Sequence, residues 1–286
     1  MLFQTPATSL LSPTHKNLFN GFETDLVQAN LSKKITKSFD QAAPTYNQSA
    51  FIQSSIADHL LKFLPPLTHA KTIADFGCGT GFNTQKLFEK TKPDKLFAID
   101  FSEQSLQEAQ KIIFSNPLLN SPKKLILIPQ DFNQIIFSEN YLDLIFSNMA
   151  FQWSLDFKLT LDLIFTQLKP QGVLLFSMPI QGTFENIKLS YKNNFYDLLQ
   201  IQDLLKKTGF TLLKISQDSF SYDFKTAYQA LKSIKNTGAQ TKLNLISQEF
   251  KKELKKNLCK NLNYFFTDQP GFLNYQIGFF MAYKNI

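Results

Sequence analysis

Hydrophobic and polar positions along this chain follow two rhythms, one near 3.6 residues and one near 2. Residues 33–64 carry the first: Ile35, Phe39 and Ala42–Ala43 recur at helical spacing, and Ala-Pro-Thr interrupts them. A second helix is expected over 46–64, with Phe51, Ile52, Ile56, Leu60 and Phe63 on one face, ended by Pro65-Pro66. Short apolar runs then alternate with helical stretches. Lys71–Phe76, Lys95–Asp100, Lys124–Pro129, Leu142–Ser147 and Val173–Met178 read as strands. Helices are expected over Asn83–Glu89, over Ser102–Phe114, entered at Ser102, and over Leu159–Leu168, with a tight turn at Lys169–Gly172. Short apolar strands separated by helices predict an α/β fold, a doubly wound and mostly parallel sheet.

The last third changes character. Helices are expected around 186–207 and 225–260, the second supported by Phe250, Leu254 and Leu258. Strands are expected at 211–224 and 273–283. Two late strands without a crossover helix of the earlier kind predict an antiparallel pairing at the sheet edge. The sheet then has seven strands, with a helical cap from the long insertions. No internal repeat or low-complexity linker divides the chain.

The candidate chemistry begins at Asp75–Gly81, DFGCGTG. A glycine loop between a strand and a helix lets backbone approach a ligand at the carboxyl edge of a sheet. The spacing Gly77-x-Gly79-x-Gly81 differs from G-x-G-x-x-G, and Asp75 stands beside it. That acid would repel a pyrophosphate and suits a cationic ligand. Asp100 ends the next strand, where a carboxylate can hold a ribose diol, and Asp131 follows the third, where it can accept from an adenine amino group.

These features together resemble the S-adenosylmethionine site of Rossmann-like (class I) methyltransferases. The resemblance implies that Gly77, Gly79 and Gly81 line the methionine and ribose, beside Asp75 and Cys78. It also implies that Asp100, with Phe101, takes the ribose hydroxyls, and that Asp131 and Phe132 contact adenine. Cys78 reads as a small residue in a tight turn rather than a nucleophile.

The segment after the fourth strand, SNMAFQW at 147–153, reports on the methyl acceptor. It holds neither Asn-Pro-Pro-Tyr nor a Pro-Cys pair, which argues against amide or exocyclic-amine methylation and against cytosine C5 methylation. It is similar to the malonyl-[acyl-carrier protein] O-methyltransferases of biotin synthesis. So are FDQAAPTYNQSAFIQ at 39–53, MPIQGTFENI at 178–187, LKSIKNTGA at 231–239 and FLNYQIGFFMAY at 272–283. The resemblance spans roughly residues 33–284 and divides the chain into an N-terminal tail, 1–32, and one methyltransferase domain, 33–286. Within that domain it assigns N-terminal helices to 33–66, a cofactor core to 70–180, a cap and late strand to 181–272 and a final strand to 273–286.

The implied reaction transfers a methyl group from S-adenosylmethionine to the free carboxylate of malonyl-acyl carrier protein, or of malonyl-CoA. A carboxylate is ionised at neutral pH, so no general base is required. Lys232 and Lys235 match the family's cap motif: one orients the carboxylate and the other meets the carrier. Surface lysines with neither role remain the alternative. Tyr46 shares the carboxylate or simply packs. Gln152 and Trp153 wall the acceptor pocket, and Asn148 lies on the cofactor side. Methylation of another small acceptor, and a cofactor-binding assembly factor, stay open as alternatives.

Composition narrows the partners. All 30 basic residues are Lys and the net charge is +7. Any anion is therefore gripped by Lys, His, hydroxyls or backbone N–H, without the bidentate fork of Arg. The charge permits an acidic partner, and a generally Lys-rich surface explains it as well. No basic stripe interleaved with aromatics suggests nucleic acid. His15, His59 and His69 have no ligand spacing, so no metal is expected. No apolar run is long enough for a membrane span. Two cysteines, Cys78 and Cys259, make no disulfide framework, which points to a reducing cytoplasm.

Overall fold

The computed structural model describes residues 33–65, 71–115, 124–187, 195–237 and 262–285. The tail, the expected helix beyond residue 237 with Phe250, Leu254 and Leu258, and Cys259 lie outside the described residues.

Helical segments α1 (33–42), α2 (Tyr46–Ser49) and α3 (Phe51–Leu60) precede the sheet. Then follow β1 (Thr72–Phe76), α4 (Phe82–Thr91), β2 (Lys95–Asp100), α5 (Glu103–Ser115), β3 (Leu125–Pro129) and β4 (Leu142–Asn148). After these come α6 (Phe157–Gln167), β5 (Leu168–Pro179), α7 (Leu198–Thr208), β6 (Phe210–Asp223), α8 (Ala227–Asn236) and β7 (Phe272–Lys284).

The seven strands are ordered β3-β2-β1-β4-β5-β7-β6. The first five run parallel, and β7 enters antiparallel between β5 and β6. Strand order reverses between β1 and β4, which opens a crevice at their carboxyl ends. Alternating residues feed two apolar layers. Ile73, Leu96, Leu144 and Leu175 meet Ile56, Leu87 and Leu106 on one face. Ala74, Phe97, Ile145 and Leu174 meet Leu161, Ile164 and Ile201 on the other. Six of the 30 Phe residues, Phe76, Phe97, Phe146, Phe176, Phe279 and Phe280, are essentially fully buried in strands.

Three expectations are corrected. The second N-terminal helix is not continuous: α2 stops at Ala50, whose ψ of 24° lies off the helical value, and α3 starts afresh. The expected helix from 186 begins only at Leu198: residues 181–186 are turns, Ile187 bridges to Phe266, and Asp197 starts α7 with a reciprocal capping box to Gln200. Lys169–Gly172 is not a free turn but extra chain bulged within β5, because Leu142 pairs with Leu168 while Leu144 pairs with Val173.

A carboxylate fixes the lower end of this arrangement. Asp143 Oδ2 accepts from the N–H groups of Lys71 and Thr72 at 3.0 and 2.8 Å, and Oδ1 accepts from Lys169 Nζ at 2.7 Å. It therefore ties the entry of β1 to the bulge of β5. Asp143→Ala leaves these donors without their carboxylate and is expected to lower unfolding stability by about 1–3 kcal/mol in denaturant titration. An unchanged midpoint would show that the tie carries no stability.

Candidate functional site

At the end of β1 the chain turns sharply. The N–H groups of Gly77 and Cys78 both donate to Ile99 O at 2.9 Å. Gly77, Gly79 and Gly81 all have positive φ, 75°, 55° and 77°. Their surroundings differ. A Cβ on Gly77 would lie 2.3 Å from Ala150 Cβ, and one on Gly81 would lie 2.8 Å from Ala109 Cβ. A Cβ on Gly79 would meet nothing within 4 Å. Gly77 and Gly81 thus let elements pack closely, while Gly79 faces open space.

Two acids stand beside this turn. Asp75 is 1% exposed, and its Oδ2 accepts from the Thr84 hydroxyl at 2.7 Å. Burial pushes its pKa up to about 7, the Thr84 bond opposes the shift, and the Asp100 charge adds to it. Asp100 is also buried, with Oδ2 accepting from Gly79 N at 2.8 Å and Oδ1 from Ser102 N at 2.9 Å. Burial raises it to about 6, the two N–H bonds hold it down, and the Asp40 and Asp131 charges raise it further. Among the described residues, no ion pair involves Asp40, Asp75, Asp100 or Asp131. Burial, then Asp100 and Asp75, drive the Cys78 thiol well above its ordinary value, so it stays protonated and is a poor nucleophile.

The N-terminal helices roof the site. Phe39 packs edge-on to Phe101 and to Trp153, with centroids 5.4 and 5.2 Å apart. Asp40 accepts from the Ser102 hydroxyl at 2.6 Å, and Asn47 Oδ1 from the Thr80 hydroxyl at 2.5 Å. Ile35, Thr36, Phe101, Asp131, Phe132 and Trp153 line a pocket under α1. Asp131 Oδ1 accepts from the backbone and side-chain amides of Asn133, also on the wall, at 2.8 and 2.6 Å. Phe132 is 3% exposed and lies against Phe76 and Phe151, so it shapes the pocket from beneath.

The structure thus brings Asp75, Cys78, Gly79, Asp100, Phe101, Asp131 and Phe132 to one sheet edge. Tyr46 is carried toward them by α2, whose Asn47 accepts from the Thr80 hydroxyl of the glycine turn; burial first, then the Asp100 charge, raises its phenol above the ordinary range. Asn148 acts as a strut, accepting from the Ser177 hydroxyl and donating to Gln53 O at 2.8 and 3.1 Å. Gln152 folds back to donate to Met149 O at 2.7 Å. Trp153 lines the α1 pocket.

Lys232 does not join the acids. It is exposed on α8, with Nζ 5.8 Å from the centre of the Tyr228 ring. Lys235 is on the same helix, and its side chain lies outside what is described. Sequence reasoning missed Asp40, Asn47, Thr84 and Asn133, which act through other polar groups. Of these, Asn133 was legible as Asp-x-Asn after a strand, a pattern that favours a side-chain turn.

Acids without cations, a glycine open to the crevice and a polar-edged slot fit a cationic nucleoside cofactor. A methyltransferase-domain family matches residues 67–268. A malonyl-[acyl-carrier protein] O-methyltransferase 2 of Coxiella burnetii is 40% identical over 258 residues, covering 90% of this chain and 98% of that protein. A malonyl-[acyl-carrier protein] O-methyltransferase 1 of the same organism is 30% identical over 213 residues, 72% of this chain and 71% of its own. Among solved structures, a Haemonchus contortus phosphoethanolamine N-methyltransferase 2 bound to S-adenosylhomocysteine superposes with a TM-score of 0.51 at 18% identity. It covers 80% of this chain and 52% of that one, a likeness of fold.

The acids give a pH dependence with a definite sign. Asp75 and Asp100, at about 7 and about 6, keep protons that an unfolded chain has released. Without ligand they favour folding below about pH 4, and that advantage is lost as pH rises to about 7. A cation needs the ionised forms, so S-adenosylmethionine affinity is expected to rise several-fold between about pH 5.5 and 7.5, with proton release. Asp75→Asn should flatten this profile in calorimetry; a pH-independent wild type would remove the acids' role. Gly79→Ala adds about 1–2 kcal/mol of backbone strain but no clash within the protein. It is expected to fold and to bind the cofactor at least about tenfold more weakly. Unaltered affinity would move the ligand away from Gly79.

Proposed function

This chain belongs to the malonyl-[acyl-carrier protein] O-methyltransferase family, and on that premise we propose that it esterifies the free carboxylate of malonyl-acyl carrier protein, an early step of biotin synthesis. The observation that carries the reading is the 40% identity to the Coxiella burnetii enzyme across 98% of that protein's length. The cap supports it: α8, which bears Lys232 and Lys235, packs against α2, which bears Tyr46, beside the acid cradle.

S-adenosylmethionine supplies an electrophilic methyl group, which forms a C–O bond to the carboxylate as its C–S bond breaks and sulfur keeps the electron pair. Asp75 and Asp100 hold the cationic and ribose parts of that cofactor, with the Gly79 turn against it. Phe101, Asp131 and Phe132 form the adenine slot beneath Ile35 and Thr36. None of these groups moves a proton, because the nucleophile is already an anion. The protein's work is alignment and exclusion of water.

Charge orders the ligands. The carboxylates of the cradle, wherever they are ionised, repel an anionic acceptor until a cation fills the site. Tyr46, protonated throughout the neutral range, then offers a neutral hydrogen-bond donor. Lys232, exposed, meets the acidic surface or the phosphopantetheine arm of the carrier; Lys235 is left for the carboxylate. Malonyl-CoA, which shares that arm, is the smaller alternative substrate. The reaction belongs in the cytoplasm with fatty-acid synthesis and involves neither nucleic acid nor a membrane. Among the described residues, no helix is long and apolar enough to cross one.

The decisive assay offers labelled S-adenosylmethionine with malonyl and acetyl carrier protein. Label on the malonyl form alone, released by mild base as methanol, is the expected result. No label on either form, with cofactor binding intact, would overturn the reading. Lys232→Ala is expected to raise the KM for carrier about three- to tenfold at low salt, with kcat retained and the defect shrinking at high salt.

A further inference from the structure

Three aromatic rings stand together at the surface where the outermost strand of the sheet meets the cap. Phe51 opens α3, Tyr222 lies at the end of β6, and Phe224 follows that strand. Ring centroids are 4.4 Å apart for Phe51 and Tyr222, 5.9 Å for Phe51 and Phe224, and 4.7 Å for Tyr222 and Phe224. Phe224 is partly buried against the apolar layer beneath the cap, whereas Phe51 and Tyr222 are 36% and 45% exposed. Large apolar side chains grouped in water mark a contact site, which scattered ones do not.

The cluster stands on the rim of the site. β7 is antiparallel to both β5 and β6, so β6 runs with the parallel strands and ends on the cofactor edge. Pro179, the last residue of β5, pairs with Ile277, which pairs with Asp218 of β6. Tyr222 is four residues further along, about 13 Å beyond the end of β5 at the rise of a strand. Phe51 follows four residues after Asn47, which accepts from the Thr80 hydroxyl of the glycine turn at 2.5 Å. Between them, Ser49 Oγ accepts from Asn236 Nδ2 of α8 at 3.4 Å, and Lys232 lies one turn before Asn236 on that helix.

The flanks of the cluster are positive. Lys225, directly after Phe224, and Lys232 are exposed, and among the described residues neither forms an ion pair. Asp223 accepts from Lys225 N and from Gln269 Nε2, both at 2.8 Å.

We propose that Phe51, Tyr222 and Phe224, flanked by Lys225 and Lys232, form the surface on which the body of an acidic acyl carrier protein docks. This rests on the carboxyl-methylation reading above. Aromatic anchors with cations at their edge suit a partner whose apolar side chains lie among acids. A carrier seated on this rim delivers its arm over the sheet edge toward the acid cradle. Coenzyme A brings the same arm without a protein body, so the surface favours the carrier-bound malonyl thioester over malonyl-CoA.

The test compares the wild type with a Phe51→Ala, Tyr222→Ala double variant in methyl transfer to malonyl carrier protein. Expected is a rise of about tenfold or more in the KM for carrier, with kcat and S-adenosylmethionine affinity within about twofold. The defect should persist at high salt, because apolar contacts are not screened, unlike that of Lys232→Ala. Tyr222→Phe alone keeps the ring and should keep the wild-type KM. An unchanged KM, or a defect carried wholly by kcat, overturns the proposal. So does a wild-type dimer in sedimentation that the double variant loses while the KM holds, which would make the patch a contact between copies. Should the double variant not fold, p-benzoylphenylalanine in place of Tyr222 gives the second readout. On illumination it should crosslink to malonyl carrier protein in the presence of S-adenosylhomocysteine; no crosslink overturns the proposal. A wild type active on malonyl carrier with an equally efficient double variant sinks the inference alone. A wild type inactive on it sinks both.

Discussion

Two carboxylates at neighbouring strand ends, Asp75 and Asp100, are buried with no cation beside them among the described residues, and the local structure is organised around that burden. Withdrawing a carboxylate from water costs several kcal/mol unless hydrogen bonds or charge offset it. Asp100 draws on the N–H groups of Gly79 and Ser102, and Asp75 on the Thr84 hydroxyl. The bond to Gly79 helps hold the turn in its left-handed conformation, so the acid and the glycine loop position each other. What these bonds do not offset emerges as raised pKa values. Protonation makes up the deficit when the site is empty, and a cation does so when it is filled.

The roof follows from the same constraint. Asp40 and Asn47 come from the N-terminal segments, yet each binds a hydroxyl on the cradle's rim, Ser102 and Thr80. Phe39 stands perpendicular to the rings of both Phe101 and Trp153. The helices preceding the sheet thus exclude water from the acids, which strengthens every electrostatic effect inside. A chain without Arg but rich in Phe suits such a site. Aromatic edges close it, and backbone amides, hydroxyls and phenols do the polar work.

This economy matches a reaction that needs no general base. An ionised acceptor and a cationic methyl donor neutralise each other as they react, so the demands on the protein are geometric. The phenol of Tyr46 suits such demands, because burial keeps it a neutral donor throughout the physiological range. The fold alone does not specify this chemistry, since methyltransferase-like sheets host many acceptors and the cap distinguishes them.

Much of the architecture was legible in local sequence. Strand identity followed from short apolar runs, because a strand buried on both faces needs no alternation. The candidate cofactor bed was legible in Gly77-x-Gly79-x-Gly81 with acids closing successive strands, since a turn and its adjoining carboxylates are a local arrangement. Even the family was legible in scattered segments from 39–53 to 272–283. Other features depended on contacts distant in sequence. The three glycines look alike in the chain, and only Ala150 and Ala109 distinguish the two that pack from the one that opens. Asn148 read as a cofactor residue, and the packing of α3 and β5 made it a strut. Lys232 matched a motif, and the burial of the opposite face of α8 left it in solvent. Asp143 was one acid within an apolar strand. Its role came from the N–H groups of Lys71 and Thr72, 72 and 71 residues earlier, because hydrogen bonding is set by distance in space, and sequence encodes that distance only through the finished fold.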